Sequence, residues 1–90
     1  MFDWHEKKRQ TNLQKHGVDF ADAEKIFLGF TLTAEDTREA YGEQRFLTLG
    51  LLEDQVVSVT HTEQDDVIRL ISIRKATKDE KRYYFSQITD

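Results

Sequence analysis

Phe20, Ala23, Ile26 and Phe27 recur at steps of three and four, so they line one face of a helix. Asp19 stands where a side-chain cap is needed and Gly29 where the helix must stop, which predicts a helix over Phe20–Leu28. Ahead of it, the polar stretch Glu6–Lys15 carries helix signals at both ends. Asp3, followed three residues later by Glu6, has capping-box spacing. Lys15-His16-Gly17 supplies a stop, because cations suit the negative end of the helix dipole and glycine takes the left-handed conformation beyond it. Val18 then offers an apolar closing contact.

From residue 30 onward the period changes to two. Phe30-Thr31-Leu32-Thr33 reads as a short strand and the polar, glycine-containing Glu35–Gln44 as a loop. In Arg45–Leu52, Leu47, Leu49 and Leu51 alternate with Phe46, Thr48 and Gly50. Val56–His61 is rich in valine and threonine, and Val67–Arg74 carries Val67, Ile68, Leu70, Ile71 and Ile73. The short connections Glu53-Asp54 and Thr62–Asp66 suit hairpins. Thr77 with Glu80 repeats the capping-box signal before a helix over Lys78–Gln87, whose Tyr84 and Ile88 are expected to face the sheet. The order α-α-β-β-β-β-α predicts an α+β fold with two N-terminal helices, a four-stranded, largely antiparallel sheet and a C-terminal helix.

Ninety residues suit one domain spanning 1–90, and a chain this short buries only about two-thirds of the surface its unfolded form exposes. With no cysteine, disulfides, thiolate metal sites and thiol catalysis are excluded, and a reducing compartment fits. His5, His16 and His61 share no ligand spacing, so neither metal nor cofactor is expected. The N-terminal residues lack the apolar core of a signal peptide, and no run approaches the ~20 apolar residues that span a bilayer. The expected address is the cytoplasm, away from membranes. Thirteen Lys and Arg against seventeen Asp and Glu leave a net charge of −4, which removes the general positive field of a nucleic-acid binder. Any RNA contact must come from a local basic patch. Lys7, Lys8 and Arg9 cluster early, and Arg69, Arg74 and Lys75 cluster late.

Three blocks of residues carry a resemblance. Trp4, Lys8, Asn12, Lys15-His16-Gly17-Val18 and Phe20 stand at the spacing of the N-terminal signature of the BrnT family, the ribonuclease toxins of bacterial toxin–antitoxin pairs. Tyr41-Gly42-Glu43-Gln44-Arg45 resembles that family's approach to its central hairpin, and Arg69–Ala76 resembles its C-terminal strand motif. Two positions depart from the pattern: His5 stands where an acidic residue usually follows the tryptophan, and Ile73 replaces a small residue before Arg74. The resemblance implies a RelE-like toxin that cleaves RNA without metal and slows translation. It also implies a hetero-oligomer with a cognate antitoxin that carries a DNA-binding domain and represses the shared operon.

Metal-free RNA cleavage needs the 2′-hydroxyl deprotonated, the in-line phosphorane stabilised and the leaving 5′-oxygen protonated. Arginine suits the middle task, since its planar guanidinium holds phosphate at two points. Arg45, Arg69 and Arg74 are the candidates, although simple alternation puts Arg69 on one face with Ile71 and Ile73, and Arg74 on the other with Ile68, Leu70 and Ser72. The two meet at one phosphate only if the strand twists or bulges. Salt bridges to the abundant acids are the competing role for all three. His16, at a helix C-terminus, suits phosphate binding or general-acid work, or else simple capping. Lys8, Asn12 and Lys15 share a helical stripe that lines either an RNA-facing groove or the wet side of the helix, and Lys8, Lys15 and Lys75 are the RNA-binding candidates. Phe2 and Trp4 suit core or partner anchoring more than base stacking. Tyr83 and Tyr84 cannot share a face. The acidic loop Glu35–Glu43 repels phosphate and would attract a basic stretch of partner. Two functions remain open: an endoribonuclease toxin, or a non-catalytic module that serves as partner and corepressor of its antitoxin.

Overall fold

A computed structural model describes residues 1–88. The chain begins with a short strand, β1 (Phe2–Trp4), and continues into α1 (Glu6–His16). Gly17 ends α1 at φ 73°, its N–H donating to the Leu13 carbonyl at 2.9 Å. A 3-10 turn over Phe20–Asp22 then leads into α2 (Ala23–Leu28). Asp19 caps the turn by accepting the Ala21 N–H, and it holds α1 alongside through a paired contact with Arg9 (2.7 and 3.0 Å). The strands β2 (Leu32–Glu35), β3 (Phe46–Leu52), β4 (Gln55–Gln64) and β5 (Val67–Lys75) follow, and α3 (Lys78–Ile88) closes the chain. At the start of α3 the Thr77–Glu80 capping box forms as its spacing predicts: Glu80 accepts the Thr77 N–H at 2.8 Å, and Thr77 Oγ1 accepts the Glu80 N–H at 3.1 Å.

The sheet has five strands, not four, in the order β1-β5-β4-β3-β2. Pairing is antiparallel except at β1, which runs parallel to β5 with Phe2, Asp3 and Trp4 beside Ile68, Arg69 and Leu70. That extra strand overturns the expected capping box at Asp3. Asp3 lies inside β1 and accepts the Trp4 N–H, and α1 starts after His5 with no side-chain cap. β2 begins two residues later than its sequence suggests, and Glu35 belongs to it rather than to the loop. Ile88 is exposed, so Tyr84 alone fulfils the expected contact of α3 with the sheet.

One sheet face packs on α2 and the segment before it. Val57, Val59, Leu70 and Ile73 meet Val18, Phe20, Ala23 and Ile26, with Phe2 and Trp4 against the same cluster. α2 lies so close to β3 that a Cβ on Gly50 would come within 2.8 Å of Ile26 Cγ2. The other face carries a smaller cluster of Leu49, Val56 and Tyr84, covered by α3. Tyr84 is the buried residue of that helix, and its hydroxyl donates to the Phe30 carbonyl at 2.7 Å.

A bulge decides which residues share a face. β4 pairs Thr60 with Ser72 but His61 with Leu70, so Ile71 is an extra residue in β5. Leu70 and Ile73 therefore both point into the core although they are three apart. The same shift corrects the expected alternation. Ser58, Thr60 and Thr62 lie on one face of β4 and pair with Arg74, Ser72 and Arg69, so the two arginines share the face opposite the main core.

Candidate functional site

The face opposite the main core is covered at one end by α3; Arg45 and Arg69 lie toward the other end, and Arg74 sits against the start of α3. Arg45 precedes β3, and continuing the β3–β4 register by one residue sets it beside Thr62, which pairs with Arg69. Arg45, Thr62, Arg69 and Asp3 thus form a row across four chain segments. Ser72 and Arg74 follow along β5.

Each of these arginines has a carboxylate at hand. Arg45 Nε lies 3.7 Å from Glu43, beyond hydrogen-bond range, and is buried without a partner, while the guanidinium sits 4.2 Å above the Tyr41 ring. Arg69 Nε is 3.8 Å from Asp3 and well exposed. Arg74 is gripped at two points by Glu80, at 2.8 and 3.0 Å, in a half-buried setting. Hydrogen bonding to Arg74 is the main reason the Glu80 carboxyl titrates below its ordinary value.

A fourth arginine was not legible as a candidate. Arg38 shares the loop between β2 and β3 with Arg45, a loop whose acids suggested a phosphate-repelling wall. The structure shows one of those acids turned inward instead. Asp36 is buried, and Arg38 holds its two oxygens at 2.8 and 2.7 Å while Tyr41 donates to it at 3.2 Å. The Arg38 contact, first among several, holds the Asp36 carboxyl well below the usual carboxylate range. Arg38 itself stays 64% exposed, and its positive charge is felt at Arg74. Asp36 therefore fastens Arg38 directly and, through Tyr41, the ring on which Arg45 rests.

The remaining candidates divide between two places. Lys8, Lys15 and His16 line a groove between α1 and β5. Ser72 lines that groove too, and by register it shares the arginine face, so the groove opens onto its β5 side. Asn12 lines the same groove as Lys8 and Lys15, as the shared stripe predicts, but at its floor. It is buried against β5, and its amide also donates to the Val18 carbonyl at 3.0 Å. Lys75 pairs with Val57 on the opposite face and lines a different hollow with Gly17, Val18 and Asp22, so it stands apart from Arg74 although adjacent in sequence. Tyr83 is exposed and Tyr84 buried.

On the core face, His61 is almost wholly buried. Its Nε2 lies 2.7 Å from Thr48 Oγ1, which lies 2.7 Å from Thr33 Oγ1. Phe46 stacks on the imidazole and Phe27 meets it edge-on. Burial lowers its pKa, so it is a neutral core residue and no partner for the arginines across the sheet.

No helix among the described residues is long and apolar enough to cross a membrane. The sequence model of the family described as the ribonuclease toxin BrnT of type II toxin–antitoxin systems matches residues 4–80, from the tryptophan of β1 to the glutamate that caps α3. No curated protein matches the chain. That span takes in α1, the antiparallel strands β2 to β5 and every arginine of the face just described, and the match covers far more than half of the sequence. The chain belongs to the BrnT family of ribonuclease toxins of type II toxin–antitoxin systems.

Proposed function

We propose that this chain is a metal-independent endoribonuclease of the cytoplasm that slows translation by cutting RNA. In this reading a cognate antitoxin with a DNA-binding domain neutralises it. The observation that carries the proposal is the shared face: the bulge at Ile71 sets Arg69 and Arg74 on the side where Arg45 also lies. In the reaction the 2′-hydroxyl gives up its proton to solvent water and its oxygen bonds to phosphorus as the bond to the 5′-oxygen breaks, leaving a 2′,3′-cyclic phosphate and a 5′-hydroxyl. The phosphorane between them carries extra negative charge, which guanidinium groups stabilise. Arg45, Arg69 and Arg74 take that role. His16 supplies the proton for the 5′-oxygen, and Lys8 and Lys15 hold the strand from the groove. Lys75, on the opposite face, is left out of the set.

The test is cleavage of RNA by the purified chain in EDTA, with RNA ends mapped. Cleavage that is lost in the Arg45→Ala, Arg69→Ala double variant is the expected result. Undiminished cleavage in that variant removes the site assignment, and no cleavage of any RNA removes the activity.

One observation favours a second reading. Arg45, Arg69 and Arg74 each stand beside an acid of the same chain, so RNA has to compete with tethered carboxylates. A non-catalytic toxin-like module, acting as partner and corepressor of its antitoxin, needs no free arginine. Expression alone separates the two: growth arrest, relieved by the co-expressed antitoxin, supports the nuclease, and unaffected growth supports the module.

A further inference from the structure

Among the described residues, each of the six arginines forms an ion pair with a carboxylate, and the Lys and Arg side chains outside every ion pair are all lysines. Three of those lysines, Lys7, Lys8 and Lys15, line the single groove between α1 and β5, together with His5 and His16. The groove has a volume of ≈560 Å³ and no carboxylate among its lining residues. On a chain of net charge −4, an acid-free groove with three unneutralised lysines is a local reversal of the protein's field.

We infer that this groove is the track for the single-stranded RNA that flanks the cleaved bond, with Lys7, Lys8 and Lys15 neutralising its phosphates. This rests on the nuclease reading above and extends it to a substrate path. Lys8 and Lys15 are seven residues apart on α1, about 10 Å along the helix, so they contact successive parts of a strand rather than one phosphate. The track leads somewhere. Ser72 lines the groove and lies on β5 between Arg69 and Arg74, so a strand leaving the groove passes directly onto the arginine face. A slot between one helix and one strand edge admits a single strand with its bases splayed, whereas a duplex meets only its rim.

The binding experiment uses fluorescence anisotropy and a short 2′-O-methyl oligoribonucleotide, which lacks the attacking hydroxyl and stays intact. Affinity is followed from 50 to 200 mM KCl. For single strands, log K falls with log salt by about 0.7 per phosphate neutralised, so the Lys7→Gln, Lys8→Gln, Lys15→Gln triple variant should lose about 2 from the wild-type slope. All three side chains are exposed and glutamine is a comparable helix former, so the fold survives the change, as thermal melting verifies. An unchanged slope and affinity in the triple variant overturns the proposal. So does a duplex of the same sequence binding as tightly as the single strand. A polyglutamate peptide that needs these lysines, when the oligonucleotide does not, reassigns the groove to an acidic protein segment. Failure of the nuclease reading looks different: no RNA is cut, yet the lysine-dependent slope remains.

Discussion

The Asn12 carboxamide is hydrogen-bonded to both backbone groups of Ile73, its nitrogen donating to the carbonyl at 2.8 Å and its oxygen accepting the N–H at 3.1 Å. A helix side chain thus continues, beyond Trp4, the pairing that β1 gives the first half of β5. Replacing it with alanine strips partners from three buried backbone groups, two on Ile73 and one on Val18. A loss of about 3 kcal/mol and a Tm lower by about 15 °C are expected from thermal unfolding of Asn12→Ala. Asn12→Asp keeps only the acceptor and is expected to be no better. An unchanged Tm would show that water replaces the amide.

Gly50 is where α2 presses on the sheet. Alanine there drives a methyl into Ile26 Cγ2, and Gly50→Ala is expected to cost about 1–3 kcal/mol. Leucine at position 26 lacks the β-branch methyl that clashes. Urea unfolding of Gly50→Ala, Ile26→Leu and the double variant should therefore give a favourable coupling of at least about 0.5 kcal/mol. Additive effects would place the strain elsewhere.

His61 sets a pH dependence of stability. Its pKa is lowered in the folded chain, so the unfolded chain binds the proton more readily. Its contribution is present in full above the unfolded value of 6.5 and drains away as pH falls below that value toward the folded one. Urea midpoints should drop between pH 7.5 and pH 5.5 in the wild type and stay level in His61→Gln. A wild-type midpoint that does not move would refute the assignment.

Asp36 works in a lower window. Its carboxyl is held below the usual range mainly by Arg38, so its stabilising effect exists above the unfolded value of 3.8 and is lost as pH falls below it. Asp36→Asn should be less stable than wild type at pH 7, with the gap closing as the solution is taken through pH 4 to 3. It should also cut RNA more slowly at pH 7, because Arg38 and the Tyr41 ring beneath Arg45 lose their common tether. Full cleavage in Asp36→Asn would relieve this loop of any part in the reaction.

What was legible in the sequence was local. Gly17 after Lys15-His16 and the Thr77–Glu80 box each act over a few residues and form as written, whereas Asp19 caps a 3-10 turn over Phe20–Asp22 and the expected helix begins only at Ala23. The leucine alternation of β3 reads directly because Leu47, Leu49 and Leu51 fall on one face while Thr48 and Gly50 fall on the other, although both faces are covered. β1 was hidden because three residues give too little period, and because Asp3 and Glu6 mimic a helix start. The bulge at Ile71 was hidden for another reason. It exists only in the pairing of β5 with β4, so no window of β5 alone contains it. Strict alternation separated Arg69 from Arg74, and the bulge reunites them. Arg38 escaped notice because its meaning depends on Asp36 being buried, which residue type alone does not disclose.

Sheets grow wherever a rim strand offers free backbone donors and acceptors, and this one has little rim to offer. β5 is shielded on its outer side by the chain's own first strand and then by a helix amide. The rims left open are β1, only three residues long, and β2, four residues long with a glutamate at its end, which give a second molecule few bonds to add and, at β2, a charge to bury. Resistance to uncontrolled stacking at high concentration is thus written into the two borders of the sheet.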